Sequence, residues 1–176
     1  PPISTETASP IIRRFASVAL LEAHRKGIRI PSACFGAIAT TLIQTQHVDG
    51  GWSHAQEETA PNATVAGFNC LLGADEVLGE SLSKTNRQIM QRSLQQSLDW
   101  LNKNYTPKNN TGGTAMTTYL CGLERAAMSC GLDQLRESDW YRNGVAAILK
   151  AHCASKNTVK GSTVNLSFAL QFLTQG

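Results

Sequence analysis

Apolar residues along the chain recur every three to four positions, which is the spacing of an amphipathic α-helix. Turns that contain glycine, proline or capping residues separate the helical stretches. These stretches are residues 11–18, 35–43, 63–78, 90–101, 116–127, 140–149 and 164–173. The last has a moderate β-strand signal, but its length favours a helix, and only residues 28–30 are expected to be extended. The pattern therefore predicts an all-α fold of about seven helices.

Turns with adjacent glycines or a Lys-Gly pair follow several of these helices, at residues 49–51, 111–113 and 160–161. They recur about every 50 residues, within the range of repeated helix pairs. A single helix hairpin cannot bury its apolar face, so successive hairpins are expected to stack side by side. Residues 102–113 are polar enough to form a long exposed loop. No linker or low-complexity segment divides the chain, so we expect residues 1–176 to form one domain.

Composition and charge exclude several classes of protein. The chain has 176 residues, of which 41% are hydrophobic and 16% are charged, so it can bury a core. The net charge of +3 is small and evenly spread, so it does not point to a nucleic-acid partner. No apolar run reaches the roughly 18 residues that a transmembrane helix needs. The five cysteines are dispersed and lack metal-binding spacing, and His47 and His54 have no regularly spaced third ligand. We expect neither a metal nor a cofactor.

The most specific local signal is the segment 44–52, with the sequence QTQHVDGGW. Gly50 and Gly51 can adopt the positive φ angles that a reversal of the chain needs. The indole of Trp52 offers a flat face for the amide of Gln46, and its N–H needs an acceptor. We interpret Gln46, Gly50, Gly51 and Trp52 as structural residues that fix the angle of a helix hairpin. Asp49 has two interpretations, as a cap for the turn or as an acid at the mouth of a cavity.

This segment resembles the glutamine–tryptophan (QW) repeat of squalene–hopene cyclases, which recurs in degenerate form in the β subunits of protein prenyltransferases. Residues 149–162 and 104–113 are similar to weaker copies of the repeat, and residues 119–125 and 139–142 resemble bacterial proteins that carry it outside the known cyclases. The similarity covers roughly residues 30–176. It implies a terpenoid cyclase-like α/α toroid, in which helices after each turn line a central cavity and helices before each turn form an outer ring.

The length of the chain suits only part of such a ring. It provides about three and a half of the roughly six antiparallel helix hairpins that a full toroid needs. We therefore expect a partial ring that belongs to a larger toroid or protein. Because an open arc exposes apolar helix ends, self-association or docking of the missing half is expected.

The resemblance does not extend to the catalytic residues of these enzymes. Squalene–hopene cyclases use an Asp-x-Asp-Asp acid, and protein prenyltransferases hold zinc with an Asp, a Cys and a His; neither set is present. We therefore expect a domain that binds an apolar or isoprenoid-like ligand or a partner, and is not catalytically competent alone. The candidate ligand-binding residues are Asp49 and Trp52 at the turn, and Tyr119 and Glu124 on a helix facing the cavity. The alternative is that Tyr119 lies in the core and Glu124 pairs with Arg125 or a neighbouring helix.

Two catalytic alternatives remain open at this stage, so the sequence does not decide whether the protein is an enzyme. One is a terpene cyclase or prenyl transferase whose catalytic residues lie in a missing part. The other is a carbohydrate-active lyase or hydrolase with an α/α toroid, which would bring Asp49, Glu57, Glu58 and Arg125 into one groove. Two other pairs have simpler interpretations: residues 75–76 as a solvated helix face, and residues 140–141 as an anchor between helices.

Overall fold

The computed structural model describes residues 10–53, 58–106, 114–153 and 163–175. This part of the chain contains seven α-helices, a short 3-10 helix (Gly79–Ser81) and one hairpin of two-residue strands. The helices are α1 (Pro10–Arg25), α2 (Ser32–Thr45), α3 (Pro61–Leu78), α4 (Lys84–Asn104), α5 (Thr114–Cys130), α6 (Trp140–Cys153) and α7 (Thr163–Gln175). The strands are β1 (Gln134–Leu135) and β2 (Ser138–Asp139). The predicted all-α fold is confirmed.

Glycine ends two of the helices in the way that the sequence indicates. Gly27 follows α1 with φ 82°, and Gly131 follows α5 with φ 63°. At both sites the glycine N–H bonds to the carbonyl three residues before it, and the next N–H bonds to the carbonyl five residues before it. This is the Schellman arrangement, which needs a left-handed residue at that position. At the start of α6, Asp139 accepts a hydrogen bond from the N–H of Arg142 at 2.8 Å, as a helix cap does.

Helix α3 lies among four other helices, since it packs against α1, α2, α4 and α5. Helix α5 packs in turn against α3 and α7, so the odd-numbered helices follow one another side by side. Helix α2 also contacts α4, and α6 contacts α5 and α7. Most of α3 is buried, from Ala63 to Leu71 without interruption. This stacking is compatible with repeated helix pairs, whereas closure into a toroid stays a prediction.

The core consists of two clusters of buried side chains that share α3. One joins α2, α3, the segment after α2 and the start of α4, and includes Phe35, Trp52, Leu71 and Met90. The other extends from α3 and α4 to α7, and includes Phe68, Tyr119, Leu120, Trp140 and Phe172. None of the helices that the structure describes is long and apolar enough to cross a membrane.

Two local predictions from the sequence are wrong. The expectation that only residues 28–30 are extended fails, because a hairpin of two strands lies at residues 134–139, where Arg136 and Glu137 both have positive φ angles (49° and 59°). Residues 28–30 themselves belong to neither a helix nor a strand. The sequence also predicts a loop over residues 102–113, and its first residues are not loop. Residues 102–104 belong to α4, and the Tyr105 side chain is only 3% exposed because it packs into the larger core cluster. Residues 107–113 lie outside the described part of the chain.

The pair Trp140 and Tyr141 attaches α6 to α7. The ring of Phe172 on α7 stacks on Tyr141 at 5.2 Å between centroids and meets Trp140 edge-on at 6.3 Å. The Trp140 indole N–H also donates to the carbonyl of Leu132 at 2.7 Å. These ring contacts anchor α6, in the manner proposed from the sequence.

Candidate functional site

The side chain of Gln46 connects the glycine-rich turn to α4. Its Nε2 donates to the carbonyl oxygens of Gly50 and Ser93, at 2.8 and 3.0 Å. The Ser93 hydroxyl donates back to Oε1 of Gln46 at 2.6 Å. Three hydrogen bonds therefore hold the end of α2, the turn and the middle of α4 together.

Trp52 connects the same turn to α2 and α3. Its indole N–H donates to the carbonyl of Leu42 in the preceding helix at 2.9 Å, and its backbone N–H donates to the hydroxyl of Thr64 at 3.0 Å. The ring is 4% exposed and lies so close to Gly67 that an added Cβ there would be 2.6 Å from it. A side chain this enclosed packs the hairpin and leaves little of its face for a ligand.

The two turn glycines are required for different reasons. Gly50 has φ 95°, and a Cβ at this position would also collide with the backbone oxygen of Gln96. Gly51 does not adopt a positive φ, contrary to the expectation that both glycines supply one. Its Cβ would instead collide with Thr59 and come within 2.8 Å of the Thr64 hydroxyl. Gly51 is therefore needed for close approach of the chain to α3 and not for the reversal itself.

Asp49 is exposed, yet both carboxylate oxygens accept hydrogen bonds. Oδ1 accepts from the N–H of Gly51 at 3.1 Å, and Oδ2 accepts from the indole N–H of Trp100 at 2.9 Å. Partial burial alone would raise the pKa of Asp49, but the bonds from Gly51, Thr59 and Trp100 outweigh it and lower the pKa. The carboxylate therefore stays ionised at neutral pH and caps the turn, so it carries no proton to donate as a general acid.

His47 makes two hydrogen-bond contacts inside the turn region. Its Nε2 lies 3.1 Å from the hydroxyl of Ser53, and its Nδ1 lies 3.3 Å from the hydroxyl of Thr59. His54, the other histidine considered as a metal ligand, lies outside the described residues. Within residues 10–53, 58–106, 114–153 and 163–175, no group of three or more His, Cys, Asp or Glu side chains is placed to hold a metal ion.

A cavity of about 260 Å³ lies between α1, α2, α3 and α5, with one residue of α7 at its edge. Its apolar lining residues come from four helices: Val18, Leu21, Phe35, Ile38, Leu72 and Met128. Polar side chains also line it, among them Asn69 on α3 and Glu124 on α5. The cavity is partly open and combines apolar with polar lining, and a concave site with a small number of polar groups is the usual form of a small-molecule site.

Glu124 is the buried carboxyl of this cavity. The side chain is 2% exposed, and its Oε1 has no hydrogen-bond partner. Burial raises the pKa of Glu124 to about 7 from an ordinary value of 4.5. The expected pairing of Glu124 with Arg125 is wrong, because the ion pair that the described chain gives to Arg125 is with Glu22, at 3.8 Å.

Asn69, which also lines this cavity, has a second buried acceptor without a partner. Its Nδ2 donates to the carbonyls of Val65 and Gly122, at 2.9 and 2.8 Å, while its Oδ1 is buried without a hydrogen bond. Two carbonyl acceptors fix which end of the amide is nitrogen, so the oxygen is the free end. Asn69 is not among the candidate residues predicted from the sequence. The available signal was an amide between Phe68 and Cys70 in an otherwise apolar stretch.

Ion pairs join the helices at the edge of the cavity. Arg25 on α1 donates from Nε to Glu76 on α3 at 2.8 Å and from Nη1 to Glu22 at 2.9 Å. The guanidinium of Arg25 lowers the pKa of Glu76 through this hydrogen bond. The pair at residues 75–76, interpreted as a solvated face, is therefore partly a contact between helices. We refer to Arg25, Arg125, Glu22 and Glu76 as the rim.

The four candidate ligand-binding residues do not converge on one place. Asp49 and Trp52 belong to the turn. Tyr119 is buried in the larger core cluster, where burial raises its pKa, and it does not line the cavity. Of the four, Glu124 lines the cavity. The set proposed for carbohydrate chemistry is also divided, since Arg125 lines the cavity whereas Asp49 and Glu58 do not, and Glu57 lies outside the described residues.

Comparisons with protein-family models, with curated proteins and with solved structures gave no match to this chain. The resemblance to the QW repeat therefore depends on residues 44–52 and their weaker copies alone. It stays a prediction, and the function has to be argued from the cavity.

Proposed function

We propose that this chain is a helical-repeat domain, similar to those of squalene–hopene cyclases and protein prenyltransferases, that binds a small and mostly apolar ligand. The observation that carries the proposal is the cavity of about 260 Å³ with two buried, unpartnered acceptors. Helices α3 and α5, which supply those acceptors, come after the glycine pairs at residues 50–51 and 112–113 of the sequence. They are thus among the helices that the resemblance would place toward a ligand.

The size of the cavity limits the ligand. An apolar cavity of about 150 Å³ accommodates benzene, so about 260 Å³ accommodates roughly ten non-hydrogen atoms. A ligand of that size is much smaller than squalene. A longer chain would have to leave the cavity at its exposed side, where Met128 and Ser129 lie.

Binding without chemistry is favoured by the properties of the cavity carboxyl. Protonation of an alkene needs an unusually strong acid, whereas burial makes Glu124 a weak one. The remaining carboxylate of the lining, Glu76, is held ionised by Arg25. These two groups suit recognition of a ligand better than cyclisation of a hydrocarbon.

Methyl NMR of 13C-labelled methionine gives a local test. The chain has three methionines, and Met128 lines the cavity whereas Met90 and Met116 are buried in the core. Titration with 1-octanol should move the Met128 signal in a saturable way and leave the other two nearly unchanged. The control is Ser129→Trp, which places a large side chain at the exposed edge and should abolish the shift. An unmoved Met128 signal at the solubility limit would refute the proposal.

A further inference from the structure

We propose that the natural ligand of this cavity carries a protonated amine at its polar end, and that Glu124 and Asn69 accept hydrogen bonds from it. The inference rests on the proposed function and names the chemistry of the ligand. Both acceptor atoms are more than nine-tenths buried, have no hydrogen-bond partner and belong to residues that line the same cavity. They come from neighbouring helices, which a hydrogen bond from Asn69 to the carbonyl of Gly122 holds together.

Both unpartnered atoms are hydrogen-bond acceptors, and this determines which polar group a ligand needs. An unpaired buried acceptor is costly, and only a donor can satisfy it. The amide N–H groups of Asn69 are occupied by two backbone carbonyls, so this side chain offers the ligand its oxygen. A diphosphate or a carboxylate has only acceptors to offer and would be repelled by ionised Glu124. An ammonium group supplies several N–H donors and also neutralises the buried carboxylate.

The remaining charged groups of the lining do not reverse this preference. Arg25 is engaged by Glu22 and Glu76, and Arg125 lies on the more exposed side, 3.8 Å from Glu22. The rim therefore pairs its positive charges with negative ones. The other titratable side chains of the lining are the thiols of two buried cysteines. Glu124 is thus the charge that a ligand meets in the interior.

Binding of an amine should therefore be linked to the ionisation of Glu124. Burial raises the pKa of this carboxyl to about 7, so in acidic solution the empty site must lose a proton before it can pair with an ammonium. The affinity for an amine should rise by up to roughly tenfold per pH unit below pH 7 and level off above it. The affinity for an uncharged alcohol of the same size should change much less with pH, because an alcohol can also accept a hydrogen bond from the protonated carboxyl.

The experiment compares octylamine, 1-octanol and octanoate below their micellar concentrations, with the Met128 methyl signal as readout. These compounds share one apolar body and differ in the polar end. At pH 8 we expect octylamine to bind at least tenfold more tightly than octanol, and octanoate to bind most weakly. Glu124→Gln should remove the preference for the amine while octanol still binds, and the matched control Glu80→Gln, on an exposed residue, should keep it.

The possible failures are distinct. If octanol binds but octylamine is no tighter, or if octanoate binds best, the amine inference is overturned and the proposed function survives. If the preference for the amine is the same at pH 5.5 and pH 8 in the unmodified protein, Glu124 is not the group responsible, a result that needs no variant. If none of the three compounds moves the Met128 signal, the proposed function fails and the inference fails with it.

Discussion

Glu124→Gln should make the protein more stable in alkaline solution and leave it nearly unchanged in acid. The pKa of Glu124 is about 7 in the folded protein, against 4.5 ordinarily, because the carboxyl is buried. For a group whose folded pKa is raised, the stabilising contribution is complete below the unfolded pKa and is lost as the pH rises through the folded value. Ionisation of Glu124 should thus lower the free energy of unfolding by roughly 3 kcal/mol between pH 4.5 and pH 8.

The measurement is urea unfolding of both proteins from pH 4.5 to pH 8, followed by circular dichroism. Other titrating groups are common to the two proteins, so their difference isolates residue 124. We expect the glutamine variant to equal the unmodified protein at pH 4.5 and to exceed it by about 2–3 kcal/mol at pH 8. Glu80→Gln removes the same charge from an exposed side chain and should show no such slope. A flat difference across this range would refute the burial of an unpartnered carboxyl.

Three further predictions concern packing and turns, each measured as a change in unfolding free energy. Gly67→Ala adds a Cβ that would lie 2.6 Å from the Trp52 ring and should destabilise the protein by about 1–3 kcal/mol. Gly36→Ala is the control, because open space surrounds this helical position, and it should stabilise the protein by up to about 1 kcal/mol. Equal effects would contradict this close packing. Arg136 and Glu137 both have positive φ, so replacing them by Asn-Gly should stabilise the hairpin by about 1 kcal/mol. A lower unfolding free energy in this variant would argue against a hairpin turn with two positive φ angles. Trp100→Phe removes the hydrogen bond from the indole N–H to Asp49 and should lower the unfolding free energy by about 1 kcal/mol. The loss should be smaller in acid, where Asp49 is protonated, and a loss that does not depend on pH would contradict this hydrogen bond.

The helices could be predicted because their signals are local. The three-to-four-residue spacing of apolar side chains gives their number and type, and Gly27 and Gly131 mark two ends because a left-handed residue after a helix is usually glycine. The hairpin at residues 134–139 could not be found in this way. Its turn residues, Arg136 and Glu137, lack the Asn-Gly chemistry that identifies such turns.

The candidate site depends on contacts between helices, and most of these have no local signal. That Asp49 accepts from Trp100, or that Asn69 and Glu124 share a cavity, follows only from how α3, α4 and α5 pack. Glu124 was selected from a helix expected to face a cavity, and it does line one. Asp49 and Trp52 were selected from a motif whose residues serve the geometry of the turn. The spacing of residues along one helix could not show which of these side chains line a cavity and which hold the turn.

The burial of α3 on nearly every side limits how the chain can be shortened. From Ala63 to Leu71 every residue of α3 is buried, so this helix depends on neighbours from both directions along the sequence. Any expression boundary placed between α1 and α5 would leave part of α3 uncovered and invite aggregation. The smallest piece that keeps α3 soluble must therefore extend from α1 through α5, although the turn with the most specific motif lies in its first half.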